Sequence, residues 1–199
     1  MLAGTEPVRS DRGVRMRRGW FHVPGVQSGD RTVEEQVQGL DAVAQACAGR
    51  AVLDIGCAEG LIARWLCGYG AKSVDCIGII AEELDAGAAF CAGFPVRFYR
   101  ADLRSSEMLR GLKLRRAYDV VLLLSIAHKM RDPDALIGWA VKKARRVVAV
   151  RLPGREYNDR AHISQRHDIV AQMNAVGWSL HKTYPTCREE WLGTFTRLA

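Results

Sequence analysis

The sequence predicts an α/β protein: a doubly wound, mostly parallel sheet in a single domain, ending in an antiparallel edge hairpin. Three observations predict it. Short apolar runs alternate with helical patterns from residue 33 onward, the pattern of parallel β-α-β units with helices on both faces. The run Val120-Val121-Leu122-Leu123-Leu124 is apolar at every position, as a strand covered on both sides must be. The last two runs, 178–184 and 191–198, have no helix between them and so suggest an antiparallel pair.

The elements follow in order. Thr32 and Glu35 have capping-box spacing, and Val33, Val37, Leu40, Val43 and Cys47 recur at helical intervals until Gly49 stops the helix. Residues 51–55 form a strand that enters a glycine-rich turn, and 61–67 form a helix closed near Gly68 and Gly70. Strand 73–80, helix 81–91 and the short strand 96–99 repeat the unit. Strand 118–124, helix 132–144, strand 146–151 and helix 163–176 then lead to the closing strands. Residues 33–199 are expected to form the domain, and 1–32 an arm with a possible lid.

A chain of 199 residues with 48% hydrophobic and 26% charged residues has the balance of an ordinary globular domain. No apolar run approaches the roughly 20 residues that span a bilayer. The start has no apolar core of a secretory signal, so a cytoplasmic, non-membrane protein is expected. Six cysteines without a C-x-x-C pair read as buried thiols in a reducing compartment. His162 and His167, five apart, do not share a helix face, so no structural metal is expected. The net charge of +7 favours an anionic partner. Arg9, Arg12, Arg15, Arg17 and Arg18 concentrate part of it, as a frayed terminus or as contacts to a nucleic acid backbone.

The most informative stretch is Val52-Leu53-Asp54-Ile55-Gly56-Cys57-Ala58-Glu59-Gly60, a strand entering a glycine turn and then a helix. Small residues let a ligand lie against backbone there, and the helix start offers free N–H groups. A dinucleotide fingerprint would need glycine at 58, where Ala58 stands. The stretch resembles motif I of the class I S-adenosylmethionine-dependent methyltransferases, D-x-G-x-G-x-G, with Ala58 at the middle glycine. The resemblance covers about residues 33–199 and implies a Rossmann-like fold with S-adenosylmethionine as cofactor. It implies that Asp54, Gly56, Cys57, Ala58, Glu59 and Gly60 surround the cofactor's methionine and ribose parts. Ala101-Asp102-Leu103 is similar to the family's A-D-L segment, which implies that Asp102, with Leu103 beside it, binds near the adenine amino group. A helix-capping role for Asp102 is the alternative. Ser125 through Pro133 looks like the family's H-H-L-x-D-P loop facing the methyl group. One position departs. The acidic residue that grips the ribose hydroxyls falls at Gly78, followed by Ile79, with Glu82 or Glu83 as candidate replacements.

Methyl transfer from a sulfonium needs alignment and exclusion of water, and a base only if the acceptor's proton must leave early. His128 is the candidate base, or a histidine that packs or caps at a helix start. Lys129 is a candidate for orienting an anionic substrate, and His22, Gln27 and Arg31 for a lid over the pocket; the alternative is a loop that covers the sheet. Asn158, Arg160 and His162 follow the fifth strand at the ligand end. There is no N-P-P-Y or D-P-P-Y tetrapeptide and no cysteine placed as the family's C5 enzymes place their nucleophile, which leaves O- or N-methylation open. The expected acceptor is a small molecule, a nucleotide or an RNA. Two other classes remain open. One is a non-catalytic binder of the cofactor with the same fold. The other is a nucleic-acid-binding module that uses the arm with Lys142, Lys143, Arg145 and Arg146, a group that otherwise reads as a solvated helix end.

Overall fold

The computed structural model describes residues 8–9, 15–154 and 161–198, and side chains for 21–154 and 168–198. Asn158 and Arg160, and the side chains of His162, His167 and the five arm arginines, lie outside that description. The chain runs β1 (Val8–Arg9), β2 (Arg15–Phe21), β3 (Gln27–Arg31), α1 (Val33–Val37), α2 (Asp41–Cys47), β4 (Ala51–Ile55), α3 (Leu61–Gly68) and β5 (Ser73–Gly78). It continues through α4 (Ala81–Phe90), β6 (Val96–Arg100), α5 (Ser106–Gly111), β7 (Tyr118–Leu124), a 3-10 turn (Ala127–Lys129) and α6 (Pro133–Lys143). The last elements are β8 (Ala144–Leu152), α7 (Ala161–Ala175), β9 (Trp178–Tyr184), a second 3-10 turn (Cys187–Glu189) and β10 (Trp191–Arg197).

Seven strands form one sheet in the order β6-β5-β4-β7-β8-β10-β9. The pairs from β6 to β8 are parallel, and β10 is antiparallel to both neighbours. The doubly wound sheet and its closing antiparallel pair are as the sequence implied. The order within that pair is not legible from local pattern: the last strand inserts beside β8, and β9 takes the edge.

Side-chain alternation sorts the sheet onto two cores. Leu53, Ile55, Val121, Leu123, Val148 and Val150 face one side, where Leu136, Ile137 and Ala140 of α6 and Ile169 and Met173 of α7 cover them. Val52, Val120, Leu122, Leu124 and Ala149 face the other, against Val43 and Cys47 of α2, Leu66 of α3 and Leu84 of α4. Asp54 and Arg151, two residues beyond Val52 and Ala149, therefore point to the second face at the carboxyl ends of their strands.

The first helix departs from expectation. The capping box at Thr32 and Glu35 is present, but the helix expected over 33–47 is two helices. Gly39, at φ 80°, separates them. A Cβ there would stand 2.5 Å from the Pro185 carbonyl oxygen; the break lets the chain pass close to the loop before β10. Strand 73–80 also ends early, at Gly78, leaving Ile79 and Ile80 exposed. The pattern did not foretell β2, β3 or the short α5, which Ser105 caps. The boundary drawn at residue 32 falls between β3 and α1, and β2 pairs β3 in parallel.

Gly39→Ala is expected to destabilise the fold by about 1–3 kcal/mol through φ strain plus the contact with Pro185. Gly93→Ala, with φ 84° but no atom within 4 Å of the new methyl, carries strain alone and should cost less in denaturant melts. Equal losses would show that the approach to Pro185 is not what fixes Gly39.

Candidate functional site

The strand order reverses between β4 and β7, and the crevice of an open parallel sheet lies at such a point, at the strands' carboxyl ends. The Asp54–Gly60 turn occupies it. Gly56 and Cys57 N–H donate to the Ile77 carbonyl at 2.8 and 3.2 Å, tying the turn to β5. Gly60 N–H donates to the Cys57 carbonyl at 2.9 Å, and no side chain caps α3. Gly56 and Gly60 have φ 83° and 73°, and Ala58 has φ 46°. The alanine thus keeps a left-handed backbone suited to glycine, at a cost of order 1 kcal/mol. The glycines also admit protein. A Cβ at Gly56 would lie 2.9 Å from Ile126 Cγ1, and one at Gly60 2.7 Å from Phe98 Cζ. A bulky residue at 56 would therefore strain the fold as well as crowd a ligand.

Beside the turn is a cavity of about 50 Å³ lined by Asp54, Gly56, Cys57, Ala58 and Glu59 and roofed by Phe21, Val23 and Gln36. Asp54 is buried, and no described residue makes a hydrogen bond to its carboxyl. Desolvation pushes its pKa up to about 7 against the pull of Arg151. Arg151, on the same cavity wall, is 3% exposed. Its Nη1 donates to the Gln36 carbonyl at 2.6 Å and its Nε to Ser125 Oγ at 3.2 Å, and Glu190 lies 3.8 Å away. Burial lowers its pKa to about 10. Both directions agree: loss of water outweighs the attraction between the two groups. Ser125 has φ 58°, and its N–H donates to the Arg151 carbonyl at 2.8 Å, so backbone and side chain both bind it to Arg151.

The other expected residues are distributed around this centre. Arg31 is buried but does not line the cavity; it makes a two-pronged pair with Glu190 at 2.5 and 2.6 Å and donates to the Glu35 carbonyl at 3.1 Å. Gln27 Nε2 donates to the Phe21 carbonyl at 2.8 Å, and the His22 carbonyl accepts from Gln36 at 2.8 Å. Segment 21–36 is thus cross-braced above the crevice. Gly78 borders the turn, but a Cβ there would meet Leu84 Cδ2 at 2.8 Å, so leucine fills the place beside it. Ile79 is exposed next to it. Asp102 is half-buried and held by Arg104, whose side chain reaches it at 2.7 Å and whose N–H donates at 2.9 Å. That pairing lowers the Asp102 pKa to about 2. Asp102 caps no helix, since Ser105 caps α5. Leu103 packs against the first core.

His128 belongs to a different cavity. It lies in the 3-10 turn after β7 and lines a space of about 70 Å³ with Met130, Pro133, Asp168 and Gln172, beneath the α6–α7 face. Lys129 is exposed. Ile126, earlier in the same loop, adjoins the turn at Gly56, and Ser125 before it is bonded to Arg151. The residues missed from sequence are Arg151, Glu190, Gln36 and Ile126. An arginine closing the apolar run Val147-Val148-Ala149-Val150 was the available signal for the first. Among the described residues no His, Cys, Asp or Glu group could hold a metal, and no helix is long and apolar enough to cross a membrane.

No family model matches the sequence, and no curated protein matches it. Solved structures do. The fold is similar to that of magnesium protoporphyrin IX methyltransferase from Synechocystis with bound S-adenosylmethionine, at TM-score 0.64 and 19% identity, covering 83% of this chain and 80% of that one. It is similar to a methyltransferase from Aquifex aeolicus at TM-score 0.65 and 12% identity, covering 83% and 93%. A cyclase also matches, at TM-score 0.63 and 12% identity over 79% of each chain. At these identities the likeness establishes architecture: the chain has the fold of the class I S-adenosylmethionine-dependent methyltransferases.

Proposed function

We propose that this chain is an S-adenosylmethionine-dependent methyltransferase that modifies an oxygen or nitrogen atom of a small-molecule or RNA acceptor. The observation that carries the proposal is the Asp54 carboxyl, buried at the switch point without a hydrogen bond from any described residue. Such a group calls for a cationic donor, and the ammonium of the cofactor's methionine part fits it. When bound, the cofactor supplies a methyl group activated on a sulfonium.

The chain's residues would do the rest. Asp54 holds the ammonium, while Gly56, Cys57, Ala58, Glu59 and Gly60 offer close-packed backbone. Gly78 and exposed Ile79 give an apolar shelf beside the turn, and Asp102, exchanging Arg104 for the ligand, would accept from the adenine amino group. Ser125 would act on the cofactor side through Arg151, which lines the cavity wall. The cavity's 50 Å³ is well below the roughly 300 Å³ of small-molecule sites, so Phe21, Val23 and Gln36 must withdraw for entry and then exclude water. His22, Arg31 and Lys129 are proposed on the acceptor side, with Arg31 acting through the Glu190 pair that braces the roof. A cytoplasmic setting belongs to this reading, supported by six free cysteines.

A second reading, a cofactor binder without turnover, is favoured by Gly78. No carboxylate stands at the strand end, and Leu84 fills the adjoining space. Calorimetric titration with S-adenosylmethionine and S-adenosylhomocysteine, followed by labelled-methyl transfer to small-molecule and RNA pools, separates the two.

Transfer to an acceptor is expected. Because His128 lines a separate cavity, His128→Ala should leave turnover within a few-fold at unchanged cofactor affinity; a loss of about 10²- to 10⁴-fold would make it the base of the reaction. Full turnover in that variant would mean that alignment alone suffices. Tight cofactor binding with no acceptor in either pool would favour the second reading. At the turn, Ala58→Gly should keep cofactor affinity and hold or raise the melting temperature, whereas Ala58→Val should lower both. Loss of affinity in Ala58→Gly would contradict the match to the glycine motif.

A further inference from the structure

The opposite end of the sheet carries a second feature that the methyltransferase reading leaves unused. A groove of about 350 Å³ runs along the amino-terminal ends of the parallel strands, lined by Lys72, Arg115, Arg116 and Arg145. These four cations come from distant parts of the sequence. Lys72 precedes β5, Arg115 and Arg116 precede β7, and Arg145 opens β8, while Ala51 of β4 lies between them. Because β5, β4, β7 and β8 are consecutive in the sheet, the cations fall in a row spanning three strand spacings, about 14 Å.

The charge in this row is not consumed internally. Lys72, Arg116 and Arg145 are exposed, and none has an ion pair or side-chain hydrogen bond among the described residues. Arg115 is 3.8 Å from buried Asp75 and is partly neutralised. The one carboxylate in the lining, Asp119, accepts from Ala51 N–H at 3.2 Å. The remaining lining residues are glycine and alanine, so there is no apolar anchor to enter a lipid layer and no aromatic ring for a base to stack on. Guanidinium and ammonium groups in a shallow row, without stacking surfaces, suit a chain of phosphates read by charge alone.

We propose that this groove binds the phosphodiester backbone of an RNA. The site lies one strand length, about 17 Å, from the Asp54–Gly60 turn, so it would anchor an acceptor RNA without touching the cofactor. If the methyltransferase reading holds, the groove selects RNA over a small-molecule acceptor. Its test uses no cofactor, so either idea can fail alone.

The full chain is titrated with a short fluorescein-labelled single-stranded RNA over a range of salt concentrations, read by anisotropy. Four phosphate contacts predict a slope of log K against log salt of about −2.8. Lys72→Gln/Arg116→Gln/Arg145→Gln should shift that slope by about +2 and weaken binding at least tenfold at low salt, with the melting temperature retained. A charge-matched control at exposed sites elsewhere, Arg110→Gln/Arg131→Gln/Lys182→Gln, should leave the slope near the wild-type value. The proposal is overturned if the two triple variants lose affinity equally, since net charge would then explain binding. Unchanged binding in the groove variant, equal affinity for a polyglutamate peptide, or no RNA binding by the wild type would overturn it as well.

Discussion

A guanidinium with almost no access to water must have its donors satisfied from within, and Arg151 does this by gathering the whole carboxyl edge of the sheet around itself. It ends β8 on the face that Asp54 shares, donates to the Gln36 carbonyl and to Ser125 Oγ, and stands beside Glu190. Glu190 in turn holds Arg31. Three otherwise separate pieces of chain, the roof segment, the loop after β7 and the approach to β10, are thereby fixed to one cation. Removing one partner from such a group leaves an uncompensated buried charge, which is far more damaging than breaking a surface pair. Asp54 experiences the other side of this arrangement. Arg151 attracts it, yet its other bonds are committed elsewhere, and the carboxyl is left facing the cavity.

The fold was legible because its determinants are local and periodic. Apolar runs such as 120–124 can only be strands covered on both faces, and the Thr32–Glu35 pair is a helix start whatever surrounds it. What escaped depends on contacts between distant segments. Gly39 looks like a tolerated helix interior residue until Pro185 is seen against it. The insertion of β10 between β8 and β9 is a choice of partner, which no pattern within either strand encodes.

The site divides the same way. The turn could be read from glycine spacing, and the structure adds that Ala58 keeps the backbone its neighbours require. Glu190 could not, since a charged residue in a loop ordinarily faces water, and for Arg151 the one signal was its place at the close of an apolar run. Arg31, expected in a lid over the pocket, does not line the cavity and instead braces that segment through Glu190. His128 follows β7 as expected, yet the 3-10 turn carries it to the α6–α7 face, so Ile126 is the residue set against Gly56. Sequence order identifies the loop; the turn's handedness decides which side chain meets the crevice.

The central claim is that Asp54 is held ready for a cationic ligand, and its protonation tests this directly. A buried carboxyl with pKa near 7, against about 3.9 unfolded, opposes folding increasingly as pH rises through that window. A cation beside it would favour the ionised form, so binding must expel a proton on the acid side. Calorimetry of S-adenosylmethionine binding should be run between about pH 6 and about pH 7.5, in buffers of different ionisation enthalpy, on the wild type and Asp54→Asn. The account predicts affinity that rises severalfold with pH, net proton release near the lower end, and loss of both in Asp54→Asn. Affinity that is independent of pH and unaltered by the substitution would place the ligand elsewhere and contradict it.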